Sequence, residues 1–118
     1  AVLTKAGKIH IGTNIEISAE SASLCAERSA LDRANATGDG DQCVAIAIVT
    51  RDVDGSGTTE LSPSCAVCQR WLADFAIRSG IGDEEFLVIS ATTDFSKVEA
   101  GSLAQSRRKL YASRRLAS

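Results

Sequence analysis

Val44-Ala45-Ile46-Ala47-Ile48-Val49-Thr50 is an unbroken apolar run of strand length, rich in β-branched residues and free of turn formers. Runs of that kind usually belong to strands covered on both faces, so this one reads as the central strand of a sheet. Upstream, Leu24 to Ala36 reads as a helix: Leu24, Arg28, Leu31 and Asn35 mark one side, Ser21 and Ser23 offer hydroxyl caps, and Gly38-Asp39-Gly40 ends it. Before it, Ala1 to Leu3 leads through Thr4-Lys5-Ala6-Gly7-Lys8 into Ile9, Ile11, Ile15 and Ile17, which alternate with mostly polar neighbours as a hairpin strand does. Downstream of the loop Arg51 to Glu60, Pro63 and Ser64 introduce a second helix that stops near Ser79-Gly80. Val67, Trp71, Phe75 and Arg78 recur along it at helical spacing, which predicts that Trp71 and Phe75 face the core. Phe86 to Ala91 is a further buried strand, and Val98 to Leu116 reads as a third helix. The order strand, strand, helix, strand, helix, strand, helix describes an α/β layered sandwich.

With 118 residues and 44% apolar content, the chain has the size and the core of one domain, residues 1–118. A net charge of −2 sets up no global field that would draw nucleic acid or an anionic membrane. No stretch approaches the roughly 18 apolar residues of a membrane span, and the first residues carry no signal pattern, so a cytoplasmic protein is expected. The chain contains no methionine, which fits either a removed initiator or a fragment of something longer.

Two short segments carry the chemistry: Cys25-Ala26-Glu27, and Pro63-Ser64-Cys65-Ala66-Val67-Cys68. Cys25, Cys65 and Cys68 supply three thiols, the number of protein ligands a catalytic zinc keeps while its fourth position stays open. Cys43 stands at the start of the central apolar run and reads as a small strand residue. Cys65 and Cys68 are three apart at a helix start, which brings both onto one face. Helix N-termini lower thiol pKa values, so both motifs sit where thiolates are stabilised. Three thiolates around Zn²⁺ leave a formal charge of about −1, which weakens the metal as a Lewis acid. Arg28 is the candidate to offset it by donating to the sulfurs, the alternative being an ordinary surface ion pair. Glu27 follows Cys25 by two positions, so on a regular helix its carboxylate would point away; only an irregular first turn brings it to the metal.

Gly12-Thr13-Asn14-Ile15-Glu16, followed nine positions beyond Glu16 by Cys25-Ala26-Glu27-Arg28-Ser29-Ala30, resembles the cytidine deaminase family, whose members carry Asn-x-Glu and then Cys-Ala-Glu-Arg at this interval. Cys68-Gln69-Arg70-Trp71-Leu72-Ala73-Asp74-Phe75 is similar to that family's helix after its second cysteine motif. The resemblance implies a three-layer α-β-α sandwich with a central mixed sheet. It also implies a zinc-dependent hydrolase of pyrimidine salvage that converts cytidine or deoxycytidine to the uracil nucleoside and ammonia. In that reading Cys25, Cys65 and Cys68 hold Zn²⁺, and Glu27 moves a proton from water to N3 of the base and then to departing ammonia. Asn14 and Glu16 hold the ribose hydroxyls, and the backbone of Ala26 and Cys65 orients base and water. Family members of this size are commonly homotetramers, so a homo-oligomer is expected, with a dimer also compatible. The family's opening helix, and the aromatic residue after it that packs on the pyrimidine, have no counterpart in this sequence.

Other readings stand beside this one. The substrate is alternatively a blasticidin-like cytosine antibiotic or the cytosine of a polynucleotide. From a different class, Cys65 and Cys68 belong to a zinc-stabilised or redox binding module without catalysis. His10 alternates with Ile9 and Ile11 and faces solvent or the opposite strand. Asp52-Val53-Asp54-Gly55-Ser56-Gly57 imitates half of a calcium loop, but its twelfth position is Pro63 rather than glutamate, so it reads as a polar turn. Ser106-Arg107-Arg108-Lys109 with Arg114-Arg115 reads as a solvated basic helix face.

Overall fold

The computed structural model of the chain describes residues 1–15, 24–50, 61 and 64–117. Its elements are β1 (Val2–Thr4), β2 (Ile9–His10), α1 (Ala26–Ala36), β3 (Cys43–Val49), α2 (Ala66–Arg78), β4 (Leu87–Ala91), β5 (Val98–Ser102) and α3 (Leu103–Ala117). The strands form one mixed sheet in the order β2-β1-β3-β4-β5, with β3 at its centre. Strand β1 is antiparallel to both neighbours, β3 and β4 are parallel, and β4 and β5 are antiparallel. The α/β class and the central mixed sheet are therefore those expected.

Strand direction decides where the site forms. Because β1 opposes both β2 and β3, the strands β2, β3 and β4 all run the same way. The helices that follow β2 and β3 consequently begin at the same rim, beyond the carboxyl ends of the strands, where open α/β sheets bind ligands. Both crossovers advance across the sheet in one direction, and the right-handed rule puts α1 and α2 on one face. They pack against each other there, and α3 packs on α2. Val2, Ile46 and Val88 are register partners across three strands, and together with Leu31, Leu72 and Leu103 from the three helices they form the core.

The opposite face is open among the described residues. Leu3, Ala47, Val49, Leu87 and Val98 lie there and are exposed, Val49 at 51%. The two-sided burial expected for the central run is thus met fully on one side and in part on the other, where Ala45 and the neighbouring Ala91 are buried while Ala47 and Val49 are exposed.

Helix ends follow their local chemistry. Gly38, at φ +89°, closes α1 with the Asp39 N–H donating to the Ala34 carbonyl, and Gly80, at φ +75°, closes α2 with the Ile81 N–H donating to that of Ala76. These are left-handed helix stops that favour glycine. Three expectations need correction. Strand β2 spans only Ile9–His10, leaving Ile11 and Ile15 exposed outside it, while Ile17 lies outside the described residues. Helix α1 begins at Ala26, not Leu24, because Leu24 instead forms a two-bond bridge with Ile15. Val98–Ser102 is a strand rather than the start of the third helix. All five of its residues pair with β4, and a reciprocal capping box between Ser102 and Gln105 starts α3 at Leu103: the Gln105 N–H donates to Ser102 Oγ at 3.2 Å, and the Ser102 N–H to Gln105 Oε1 at 3.0 Å.

Candidate metal centre

Cys25 and Cys65 occupy the same structural position on their two helices. Each is the N-cap, in extended backbone (φ −73°, ψ 150° and φ −64°, ψ 163°), immediately before the first helical residue. Cys68 follows in the first turn of α2, where its backbone N–H donates to Cys65 Sγ at 3.4 Å. That sulfur takes the place of the oxygen that usually caps a helix, and the contact strengthens when the thiol ionises. Because both helices start at one rim, the caps meet: Cys25 Sγ and Cys65 Sγ are 3.9 Å apart, and the three sulfurs of Cys25, Cys65 and Cys68 all lie within 4.8 Å of one another. Tetrahedral zinc with Zn–S of about 2.3 Å spaces its sulfurs by about 3.8 Å, so this group can hold a metal ion. Cys43 stays apart, its thiol donating to the Asp39 carbonyl at 3.4 Å.

The thiols differ in character. Cys68 is fully buried, and burial first, then its contact with Cys65 and the negative charge of Glu27, push its pKa well above the ordinary thiol value. Cys65 is exposed at the mouth of the cluster; the burial it does have opposes ionisation, but donors from the Cys68 backbone and from the neighbouring thiols outweigh it and bring its pKa down. The α2 N-terminus thus favours one thiolate at the surface while a protonated partner is kept beneath it.

Arg28 lies in the first turn of α1 with Nη2 3.6 Å from Cys25 Sγ, and that contact raises the guanidinium pKa further. It is placed to offset the negative charge of the thiolates. Glu27 is the second residue of α1 and half-buried. Its negative charge is one of the influences that keep the Cys68 thiol protonated. The regular-helix argument against it does not apply, because Cys25 stands outside the helix in extended backbone. Ala26 is the first helical residue, between the two. Asn14 is exposed and adjoins Ile15, whose bridge to Leu24 ties that segment to the residue just before Cys25. Glu16, Pro63 and the calcium-loop-like stretch from Asp52 lie outside the described residues.

Several structural supports of the site escape sequence reasoning. Gly12 packs flat against the first turn of α1, where a Cβ would come within 2.3 Å of the Ala30 nitrogen. Gln69 is buried and donates to the Ser64 carbonyl at 3.2 Å, fixing the approach to Cys65. Phe75 is core as expected; Trp71 packs against the core but is only half-buried, lining an open groove of about 370 Å³ between α1 and α2 with Arg28 above its ring. His10 is mostly buried and bonds Asp39 at 2.8 Å. On α3, Arg107, Arg108 and Lys109 pair with Asp83, Glu84 and Glu99, which engages these three basic side chains within the chain. Among the described residues, no helix is long and apolar enough to cross a membrane.

No family model matches the chain, and no curated protein matches it. Among solved structures, the 1.6 Å crystal structure of cytidine deaminase from Burkholderia pseudomallei is similar to it, with a TM-score of 0.67 and 26% identity over 90% of this chain and 74% of that one.

Proposed function

We propose that this protein is a zinc-dependent hydrolase that removes the exocyclic amino group of a cytosine nucleoside, releasing ammonia and the uracil nucleoside. The observation that carries the reading is the meeting of Cys25, Cys65 and Cys68 within 4.8 Å at two adjoining helix N-termini, with Glu27 in the first turn. The likeness to a solved cytidine deaminase supports it. Zinc held there supplies the Lewis acidity that makes water nucleophilic near neutral pH.

The chain's own residues do the rest. Arg28 donates to the Cys25 sulfur and the Cys68 N–H to that of Cys65, which withdraws charge from the ligands. Glu27 takes one proton of the attacking water and passes it to N3 of the base, then takes the second from the new C4 hydroxyl and passes it to the leaving amine, so one carboxylate serves as base and acid in turn. Asn14 and Glu16 hold the sugar hydroxyls, and the Ala26 backbone orients the base. The uncharged, apolar open sheet face supports a homo-oligomer as the working form. Four free thiols, two of them half-buried or exposed, fit a reducing compartment and so the cytoplasm.

The test is Glu27→Gln in zinc-loaded protein. Metal content stays at one ion per chain while ammonia release from cytidine falls by at least about 100-fold. Ammonia release at the wild-type rate in that variant removes Glu27 from the chemistry. A zinc-loaded wild type that releases none from cytidine, deoxycytidine or blasticidin S removes the deaminase reading for these substrates.

A further inference from the structure

Along α2, Trp71, Phe75 and Arg78 follow one another at the four- and three-residue steps that share a helix face. The Trp71 and Phe75 rings are nearly parallel, 12° apart with centroids at 6.2 Å, and Arg78 lies over Phe75 at 5.0 Å. At the other end of this ladder, Arg28 of α1 sits over the Trp71 ring, its Cζ 6.0 Å from the centroid. The same guanidinium donates to Cys25 Sγ. One turn below the sulfurs that link the two helices, a cation on an aromatic face therefore links them again.

We propose that Trp71 is a positioning residue for the metal centre: its indole face, braced by Phe75, holds the Arg28 guanidinium in the orientation that donates to the Cys25 sulfur. The inference rests on reading the three cysteines as a metal site. An arginine side chain loses several rotatable degrees of freedom to reach one sulfur, and a flat ring beneath it removes much of that cost beforehand. Trp71 packs on the core with one part of its ring system, but it is only half-buried beside an open groove and carries Arg28 over its ring, so filling the core accounts for the indole only in part. With Arg28 held, its positive charge offsets the mutual repulsion of three thiolates brought within 4.8 Å of one another, which favours the deprotonated set that binds the ion.

The experiment measures zinc affinity by chelator competition, and the thiolate-to-metal charge-transfer bands of the Co²⁺-substituted protein, for Trp71→Leu, Trp71→Met and Trp71→Phe, each alone and combined with Arg28→Gln. Replacement by Leu or Met weakens zinc binding about tenfold, the effect typical of a lost outer-shell partner, and shifts the Co²⁺ bands in the same direction as Arg28→Gln does. Phe keeps a ring face and stays within about threefold of wild type. In the Arg28→Gln background, none of the Trp71 replacements has a further effect, because the partner they act through is gone. Met is unbranched and flexible and fills irregular gaps, so it reports even where Leu fails to fold. Equal effects of Trp71 replacement with and without Arg28, or wild-type affinity and spectra in Trp71→Met, overturn the proposal while leaving the zinc site standing. A wild type that holds no zinc overturns the metal reading, and the role of Trp71 with it.

Discussion

Replacing Gly12 by alanine tests how the first cysteine is held. Gly12 is not in a left-handed conformation; what demands glycine is proximity. A Cβ there would lie 2.3 Å from the Ala30 nitrogen, 2.6 Å from the Ala26 carbonyl oxygen and 2.9 Å from the Ala30 Cα. All three are backbone atoms of α1, so no side chain can rotate aside. Ordinary contact with such atoms begins at about 3.5 Å, which means the two segments must separate by about 1 Å. Forced separation of that size in a packed region costs about 1–3 kcal/mol. The strain falls on the first turn of α1, directly beside Cys25. Its sulfur, now 3.9 Å from that of Cys65, is close to the spacing of about 3.8 Å that one tetrahedral zinc requires. Gly12→Ala therefore lowers stability in urea by about 1–3 kcal/mol and weakens zinc binding by about tenfold or more, each tenfold being about 1.4 kcal/mol. Gly82→Ala is the control, since a Cβ there meets nothing within 4 Å and both quantities stay at wild type. Were Gly12→Ala to match wild type in both urea stability and zinc affinity, the packing of this segment on α1 would not be what positions Cys25.

Two further outcomes follow from the thiols. In metal-free protein at neutral pH, iodoacetamide modifies Cys65 before Cys43 or Cys68, because Cys65 is exposed with a lowered pKa while the other two are buried with raised ones; peptide mapping over time gives the order, and early labelling of Cys43 contradicts it. Zinc uptake releases the proton that Cys68 retains, since its raised pKa keeps the metal-free thiol neutral through the physiological range; affinity therefore falls as pH drops, and a titration in weak buffer that shows no proton release refutes this.

The parts of the fold legible in the sequence were those coded locally. The run through Val44–Val49 announced a strand, and the helical spacing and glycine stops around Leu31 and Leu72 announced two helices whose ends the structure places within two residues of that reading. Strand β5 is not legible in the sequence because Val98-Glu99-Ala100-Gly101-Ser102 has no apolar run and only three residues of alternation before Gly101. It exists through its pairing with β4, although the Ser102-x-x-Gln105 capping box marks the true helix start. The candidate site divides along the same line. Its thiols declare themselves by type and spacing, whereas the supports around them are contacts between distant segments: Gly12 on α1, Gln69 beneath Ser64, Arg28 on Trp71. Glu27 shows the difference most directly. Counted along a regular helix its carboxylate points away from Cys25, but the extended N-cap backbone of Cys25 takes that residue out of the helical count. A cap conformation of this kind is set by what the preceding residue does, here Leu24 bridging to Ile15, and the meeting of the two caps depends on β2 and β3 running the same way and delivering both helices to one rim. Chemistry that rests on residue identity can be read one motif at a time; chemistry that rests on orientation waits for the topology that joins the motifs.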